Sequence, residues 1–566
     1  MKTWKYIFIL LAIAVPLFSL GLSNHGLWSP DEPRVAEIGR EMALSGNWAV
    51  PTLNREPFLE QPPLYYVSLA LAFKTFSVSD KTARVPSALF AFATVLVVFL
   101  MANFFFGPRV ALFSGLILTT TGEYFRVSHW IVVDGALTFF VTSAFYSFIR
   151  AYFAEVGRRK LLWYGLFYAA CTLAFYTKGF IGLVIPGLGV LVFLIIERNF
   201  KEIIRMKLWL GILIFFVMTL PWFIELWRQG GTEYFSEFFI RNHLQRFFSD
   251  NFAGILSDGA PSHHRPFYYY LTEFPSGFLP WSVLLIPVLF HVFSKSAKSD
   301  GADILSGKGI RFAKCWFFAG IIFLSAASTK RTLYLMPVFA PIGILTAVYV
   351  ESTLGSLRPI TKIGKVFIWV FASIILFIGL SLTPASLSVK KIYFADASVS
   401  FMGPVILLSV FVTILCCLAM RCLWKRNLKR YWISMNAAVI LILLFALTVA
   451  MPVIDVHNSF VPFCRRVAAA VPAGESLHVY RPNETIRGVV PFYTGRYLLE
   501  ANELSDVETM FRKEEPFYII VRDKQERMEK KLLSTGRVFS LVKHELTGTD
   551  HALVLFSNKP AQKQLR

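Results

Sequence analysis

Two carboxylates stand side by side at Asp31-Glu32, bracketed by Pro30 and Pro33, in the run W-S-P-D-E-P-R-V-A-E-I-G-R-E-M at residues 28–42. Adjacent carboxylates repel each other unless a cation, a metal or a substrate group compensates. One reading makes Asp31 a helix N-cap, with Arg34, Glu37, Arg40 and Glu41 pairing along a wet helical face. The other makes the acidic pair part of a site. Glu60 precedes Pro62-Pro63 in F-L-E-Q-P-P-L-Y-Y, a carboxylate among apolar residues with Gln61 and Tyr65 beside it. His264 and Arg265 lie in S-H-H-R-P-F-Y-Y-Y. Imidazole and carboxylate are usual metal ligands, so Glu60 and His264 are candidates to hold zinc, magnesium or manganese.

Asp134 stands near the start of an apolar run, in S-H-W-I-V-V-D-G-A-L. An ionisable group there is costly and marks a functional candidate; the N-terminus of a helix offsets part of that cost. Lys178 sits in Y-T-K-G-F between two apolar runs, and Lys330-Arg331 repeat the arrangement in S-T-K-R-T-L-Y-L-M-P. Such cations either snorkel to the membrane surface or bind an anion such as phosphate.

These acids and bases fall at one depth on one face of a membrane, in loops far apart in the chain. A phosphate-bearing lipid places its headgroup there. Lys and Arg would hold the phosphate while an Asp takes a proton from an acceptor hydroxyl, or a metal orients the groups. That is the outline of an inverting glycosyltransferase fed by a polyprenyl-phosphate-linked sugar. The leaving group is already a phosphate, so no nucleotide cofactor is expected, and neither G-x-G-x-x-G nor a P-loop occurs. A transporter for lipid-linked sugars is the first rival, although transporters place their polar sites near the midplane of repeated halves. A receptor with a membrane anchor is the second.

The elements that must position these residues are membrane helices. The chain has 566 residues, of which 55% are hydrophobic and only 16% charged, with 56 Phe. An average soluble protein carries about 25% charged residues, so a soluble fold is excluded. Apolar runs of about 18 residues, the length that spans a bilayer, recur at 5–22, 85–106, 110–127, 131–150, 161–177, 180–196, 208–227, 279–294, 313–328, 332–350, 366–383, 401–421 and 432–451. The sequence therefore predicts a polytopic α-helical membrane protein with thirteen crossings, the first a retained anchor. The 57 Lys+Arg against 36 Asp+Glu give a net charge of +21. Basic clusters at 158–160, 201–207, 295–314 and 425–430 all fall on the side of the N-terminus, which predicts a cytoplasmic N-terminus and an external C-terminus. Nucleic acid is not needed to explain the charge. The six Cys show no metal-finger spacing.

Three segments lie outside the membrane. Loop 23–84 holds an amphipathic stretch at 31–45 and a surface piece at 64–77, and loop 228–278 is aromatic and basic. Residues 1–451 thus form the transmembrane domain with its two loops. The tail 452–566 alternates strand-like runs (477–480, 517–521, 552–556) with charged helical ones (504–513, 525–533), and reads as a small α/β domain.

As a set, the motifs at 28–42 and 58–66, the Asp134 segment, T-K-G-F, H-L-Q-R-F (243–247), H-R-P-F-Y-Y-Y and K-R-x-L-Y resemble the bacterial aminoarabinose transferase family, within the protein O-mannosyltransferase-like, C-type (GT-C) glycosyltransferases. The resemblance covers residues 1 to about 350. It implies an inner-membrane enzyme with a periplasmic active site, which takes a sugar such as 4-amino-4-deoxy-L-arabinose from undecaprenyl phosphate to lipid A or another envelope acceptor. It implies catalytic roles for Asp31, Asp134 and the neighbouring Glu32, a metal pair at Glu60 and His264, and carrier or phosphate contacts from Arg34, Tyr65, Lys178, Arg265, Lys330, Arg331 and Tyr334. One departure stands out: where these enzymes have Glu-Lys-Pro, this chain has Glu60-Gln61-Pro62, so a cation is replaced by an amide. A hexose donor is then as compatible as an aminosugar.

Overall fold

The structure, a computed structural model, describes residues 2–245, 265–294, 304–354, 361–393, 401–524, 527–533, 538–545 and 551–560. Its contacts divide the chain into two compact units. One comprises Met1–Leu20, Leu59–Leu64 and Ser87–Val449; the other comprises Gly21–Phe58, Tyr65–Pro86 and Ala450–Arg566. The first loop thus clusters with the tail.

All thirteen apolar runs are helical over most of their length. Seven described helices are long and apolar enough to cross a membrane, or eight if the bent pair Tyr269–Gly277 and Trp281–Phe293 is one span. The segment expected at 110–127 is broken into Pro108–Thr119 and Gly122–Ser128. Thr120 and Thr121 cause the break, because their hydroxyls bond back to the Leu116 and Ile117 carbonyls while the Gly122 N–H turns away to the Leu279 carbonyl. The helix expected to end near residue 227 continues as Leu208–Phe235, with non-helical backbone only at Gly231. Met336–Leu354 is the most enclosed long helix; Val338, Phe339, Ala340, Ile342, Leu345 and Ala347 are all fully buried.

Helices Asp134–Tyr152 and Arg158–Lys178 are joined by five residues and pack along each other. A connection that short makes neighbouring helices antiparallel. The start of the first therefore lies beside the end of the second. Helix Ile181–Ile196 then turns back so tightly that a Cβ on Gly182 would lie 2.3 Å from the Ala174 carbonyl carbon, so only glycine fits.

In the second unit a five-stranded sheet runs in the order Leu498–Ala501, Leu477–Tyr480, Tyr518–Lys524, His551–Ser557, Phe539–Glu545. The first three strands are parallel and the last two pair antiparallel, with Leu477 opposite both Leu498 and Tyr518. Side chains alternate across the sheet as the pleat requires. Val479, Ile520 and Leu555 face helices Val461–Ala470 and Glu484–Thr494, while Ile519, Val521 and Phe556 face Val507, Phe511 and Leu532.

The first-loop helix Asp31–Ser45 is not the amphipathic surface helix that its charges suggested. Eleven of its fifteen residues are buried, including Glu32, Glu37, Arg40 and Glu41. Helix Glu484–Thr494 presses on it so closely that a Cβ on Gly488 would meet the Pro33 carbonyl carbon at 2.4 Å. Glu41 accepts from Thr52 Oγ1 and from the Asn54 and Arg55 N–H groups, and Asn54 pairs in turn with both backbone groups of Leu498. Each charge that seemed destined for water has an internal partner, which is what its burial requires.

Candidate active site

In the first unit, Asp134 opens its helix and Lys178 closes the neighbouring one. The antiparallel packing brings them together, with Lys178 Nζ 2.5 Å from Asp134 Oδ1. Asp134 is therefore the first helical residue, not one embedded several residues into a span. The ammonium also lies 4.1 Å from the centroid of the Tyr334 ring, a cation–π contact. An ammonium has three donors; among the described residues Asp134 is the hydrogen-bond partner of Lys178. Two donor directions are left for a ligand.

Tyr334 lies in the turn Thr332–Leu335, just after Lys330-Arg331. Lys330 is buried and donates to the Ala327 carbonyl and, at 2.9 Å, to the Arg265 carbonyl. The Arg331 carbonyl receives Tyr270 OH, and Thr332 Oγ1 donates to Glu273 at 2.7 Å. These bonds stitch the segment at 265–273 to the one at 327–334. The Arg265 guanidinium lies 6.0 Å from the Tyr269 ring. Asp134, Lys178, Arg265, Lys330, Arg331 and Tyr334 thus belong to one connected neighbourhood, which sequence reasoning could name only as separate segments.

Glu60 and Gln61, in the same unit, are half-buried. The side-chain oxygen of Gln61 is buried with no hydrogen-bond partner among the described residues. His264 lies outside the described residues. Among those described, no group of three or more His, Cys, Asp or Glu side chains could hold a metal ion.

The second unit holds Asp31, Glu32, Arg34 and Tyr65. Asp31 is the first residue of its helix; Pro30 precedes it and there is no side-chain cap, so the N-cap reading is corrected. Its carboxylate takes Arg34 Nη2 at 3.1 Å, while Arg34 Nη1 reaches Glu484 at 2.5 Å and the guanidinium lies 5.4 Å from the Phe58 ring. Tyr65 is fully buried. Glu32 is also fully buried and faces Arg84, a residue that the motif reading passed over. Arg84 donates all five of its N–H groups: two to the Glu32 carboxylate at 2.8 and 2.9 Å, and one each to the Leu22, His25 and Gly26 carbonyls. Glu32 also accepts from the Trp28 N–H. Asp455 and Tyr493 complete the bracing of this turn by taking Trp28 Nε1 and by donating or accepting at Gly26, Leu27 and Asp80. Arg84 was within reach of sequence reasoning, because the argument that singled out Asp134 applies equally to an arginine at the head of an apolar run.

Residues 5–229 match the dolichyl-phosphate-mannose-protein mannosyltransferase family. A protein from Enterobacter sp. (strain 638), named undecaprenyl phosphate-alpha-4-amino-4-deoxy-L-arabinose arabinosyl transferase, is 30% identical over 411 residues, covering 71% of both chains. This chain belongs to that arabinosyl transferase family. A member from Shewanella sediminis is 31% identical over 370 residues, 64% of each chain. The match thus spans somewhat less than two thirds of that relative's length. ArnT from Cupriavidus metallidurans, crystallised with undecaprenyl phosphate, superposes with a TM-score of 0.75 over 99% of both chains at 20% identity. The fold is therefore that of the GT-C family member ArnT, and the chain is a multi-pass membrane protein.

Proposed function

We propose that the chain is a glycosyltransferase that moves a sugar from an undecaprenyl phosphate carrier to an acceptor on the periplasmic side of the bacterial inner membrane. The observation that carries this reading is Lys178, an ammonium braced by Asp134 and Tyr334 with two donors left for a phosphate. The name of the relatives supports 4-amino-4-deoxy-L-arabinose as the sugar; lipid A or another envelope glycan is the acceptor in this reading. In this reading thirteen segments cross the membrane, with the N-terminus cytoplasmic. Loops 23–84 and 228–278 and the tail 452–566 are periplasmic.

The reaction is a single in-line displacement at the anomeric carbon, and it inverts the configuration. An acceptor oxygen bonds to that carbon as its bond to the carrier phosphate breaks, and the phosphate leaves towards Lys178, with Arg265, Lys330 and Arg331 of the same unit as further cations. Fixed cations aimed at the developing charge lower the barrier. Asp31 takes the proton of a hydroxyl acceptor; a phosphate acceptor needs no base, and Asp31 then orients cations. The buried pairing of Glu32 with Arg84 supports a positioning role for Glu32 in place of the catalytic one that its motif implied. A divalent cation at Glu60 and His264 would polarise the phosphate, but no step here runs through it.

A hexose donor is the second reading, favoured by Gln61, an amide that can hydrogen-bond a sugar but supplies no charge where the resembling enzymes carry a lysine. The test uses the purified full chain in detergent, undecaprenyl-phosphate-linked aminoarabinose or hexose, and lipid A. Transfer without a sealed compartment supports an enzyme over a transporter, and Asp31→Asn should abolish it for a hydroxyl acceptor. No transfer of either sugar by the parent protein would overturn the reading.

A further inference from the structure

Away from this site, helices Arg158–Lys178, Ile181–Ile196 and Leu208–Phe235 enclose a groove of about 590 Å³. That volume is within the range of small-molecule sites. Its walls are Phe167, Leu191, Leu194 and Phe215, and one end is closed by Ile203 and Met206. Leu191 and Phe216 on its rim are about half exposed, so the groove opens sideways onto the apolar surface of the helices.

The turn that closes the groove is basic. Ile203 and Met206 alternate with Lys201, Arg205 and Lys207, and Arg158 and Arg159 begin the first of the three helices. The acids nearby are engaged, apart from the exposed Glu155: Glu202 is buried and takes Lys160 at 2.6 Å and Arg205 at 3.2 Å, and Glu197 takes Arg311 and Lys308. Among the described residues Arg158, Arg159, Lys201 and Lys207 are exposed and make no ion pair. An apolar slot that ends in unneutralised cations is the complement of a lipid with an anionic headgroup.

We propose that this groove binds one anionic phospholipid, with an acyl chain between the three helices and the phosphate at Lys201 and Lys207. The Tyr168 hydroxyl donates to the Met206 carbonyl at 2.9 Å and fixes the basic turn over the end of the slot. Gly187 lines the groove, and a Cβ there would meet nothing within 4 Å. A larger residue at this position enters the slot without displacing the fold.

The experiment is native mass spectrometry of the delipidated full chain in detergent, titrated separately with dioleoyl-phosphatidylglycerol and dioleoyl-phosphatidylcholine. One phosphatidylglycerol should be retained at least tenfold more tightly than phosphatidylcholine. Gly187→Leu and the double variant Lys201→Glu/Lys207→Glu should each lower that retention at least fivefold, with lipid-free melting unchanged. The surface double variant decides the matter if Gly187→Leu fails to fold. Equal retention of the two lipids, or undiminished phosphatidylglycerol binding in the double variant, overturns the proposal. So does displacement of the phospholipid by undecaprenyl phosphate, which would assign the groove to a carrier tail.

Discussion

Glu32–Arg84 and Asp134–Lys178 are both carboxylate–cation contacts shorter than 3 Å, yet they are built differently. Arg84 has no exposure, and every one of its five donors ends on a carboxylate oxygen or a carbonyl of the 22–32 turn. Lys178 is joined to one carboxylate oxygen and one aromatic face, and is still partly open. A saturated cation holds structure; an unsaturated one is available to a ligand. Donor counting and exposure separate the two where distance alone does not.

The largest expected effect comes from breaking the saturated pair. Arg84→Met strands a buried carboxylate and three carbonyls, and removing one partner of such a pair costs about 3–5 kcal/mol. A clear fall in Tm of the full chain in detergent is expected, with partial recovery in Arg84→Met/Glu32→Leu. An unchanged Tm would show that the two pairs do not differ as described. Lys178→Met should act the other way round, with transfer slowed about 100- to 1,000-fold, as when one fixed transition-state donor is lost, and a smaller fall in Tm than Arg84→Met. If the stability losses rank in the opposite order, donor counting has failed.

A third test sharpens the comparison through pH. Glu37 is fully buried against Arg40, two hydrogen bonds of 2.6 Å joining them. Burial pushes its carboxyl from 4.5 up to about 8, against the pull of Arg40 and helped by the nearby Glu41. A raised folded-state value means that the folded chain binds the extra proton between those limits. The contribution to stability is thus complete below pH 4.5 and is lost as the pH rises towards 8. Thermal melts across pH 5–8 should show this decline, and Glu37→Gln should flatten it. The smallest effect belongs to Gln61→Lys. Restoring a partly exposed cation is worth about 1 kcal/mol at most, so the KM for the carrier-linked sugar should fall no more than about fivefold. A rise would show that the amide serves the sugar rather than the phosphate.

Local pattern made much of this architecture readable. The apolar runs are helices, the stretch at 31–45 is helix Asp31–Ser45, and Leu477–Tyr480 is a strand. Strands Leu498–Ala501 and Phe539–Glu545 were hidden because their short, mixed sequences acquire a pattern only beside their sheet partners. The face bearing Glu37, Arg40 and Glu41 has the sequence pattern of a solvated one, because charge in sequence does not reveal a partner such as Asn54 or the packing of helix Glu484–Thr494. Asp134 and Lys178 were each marked by their cost in an apolar setting. Their union across 44 residues was not legible, since it follows from the antiparallel return of one helix along another.

That union also has a direction. Asp134 stands where a helix begins and Lys178 where one finishes, so each charge is opposed by the partial charge of its own helix terminus as well as by its partner. Exchanging the two residues would keep the mutual attraction and set both against their backbones. The reciprocal swap that rescues an ordinary surface ion pair should therefore fail here: the polarity of the pair is written by the course of the chain.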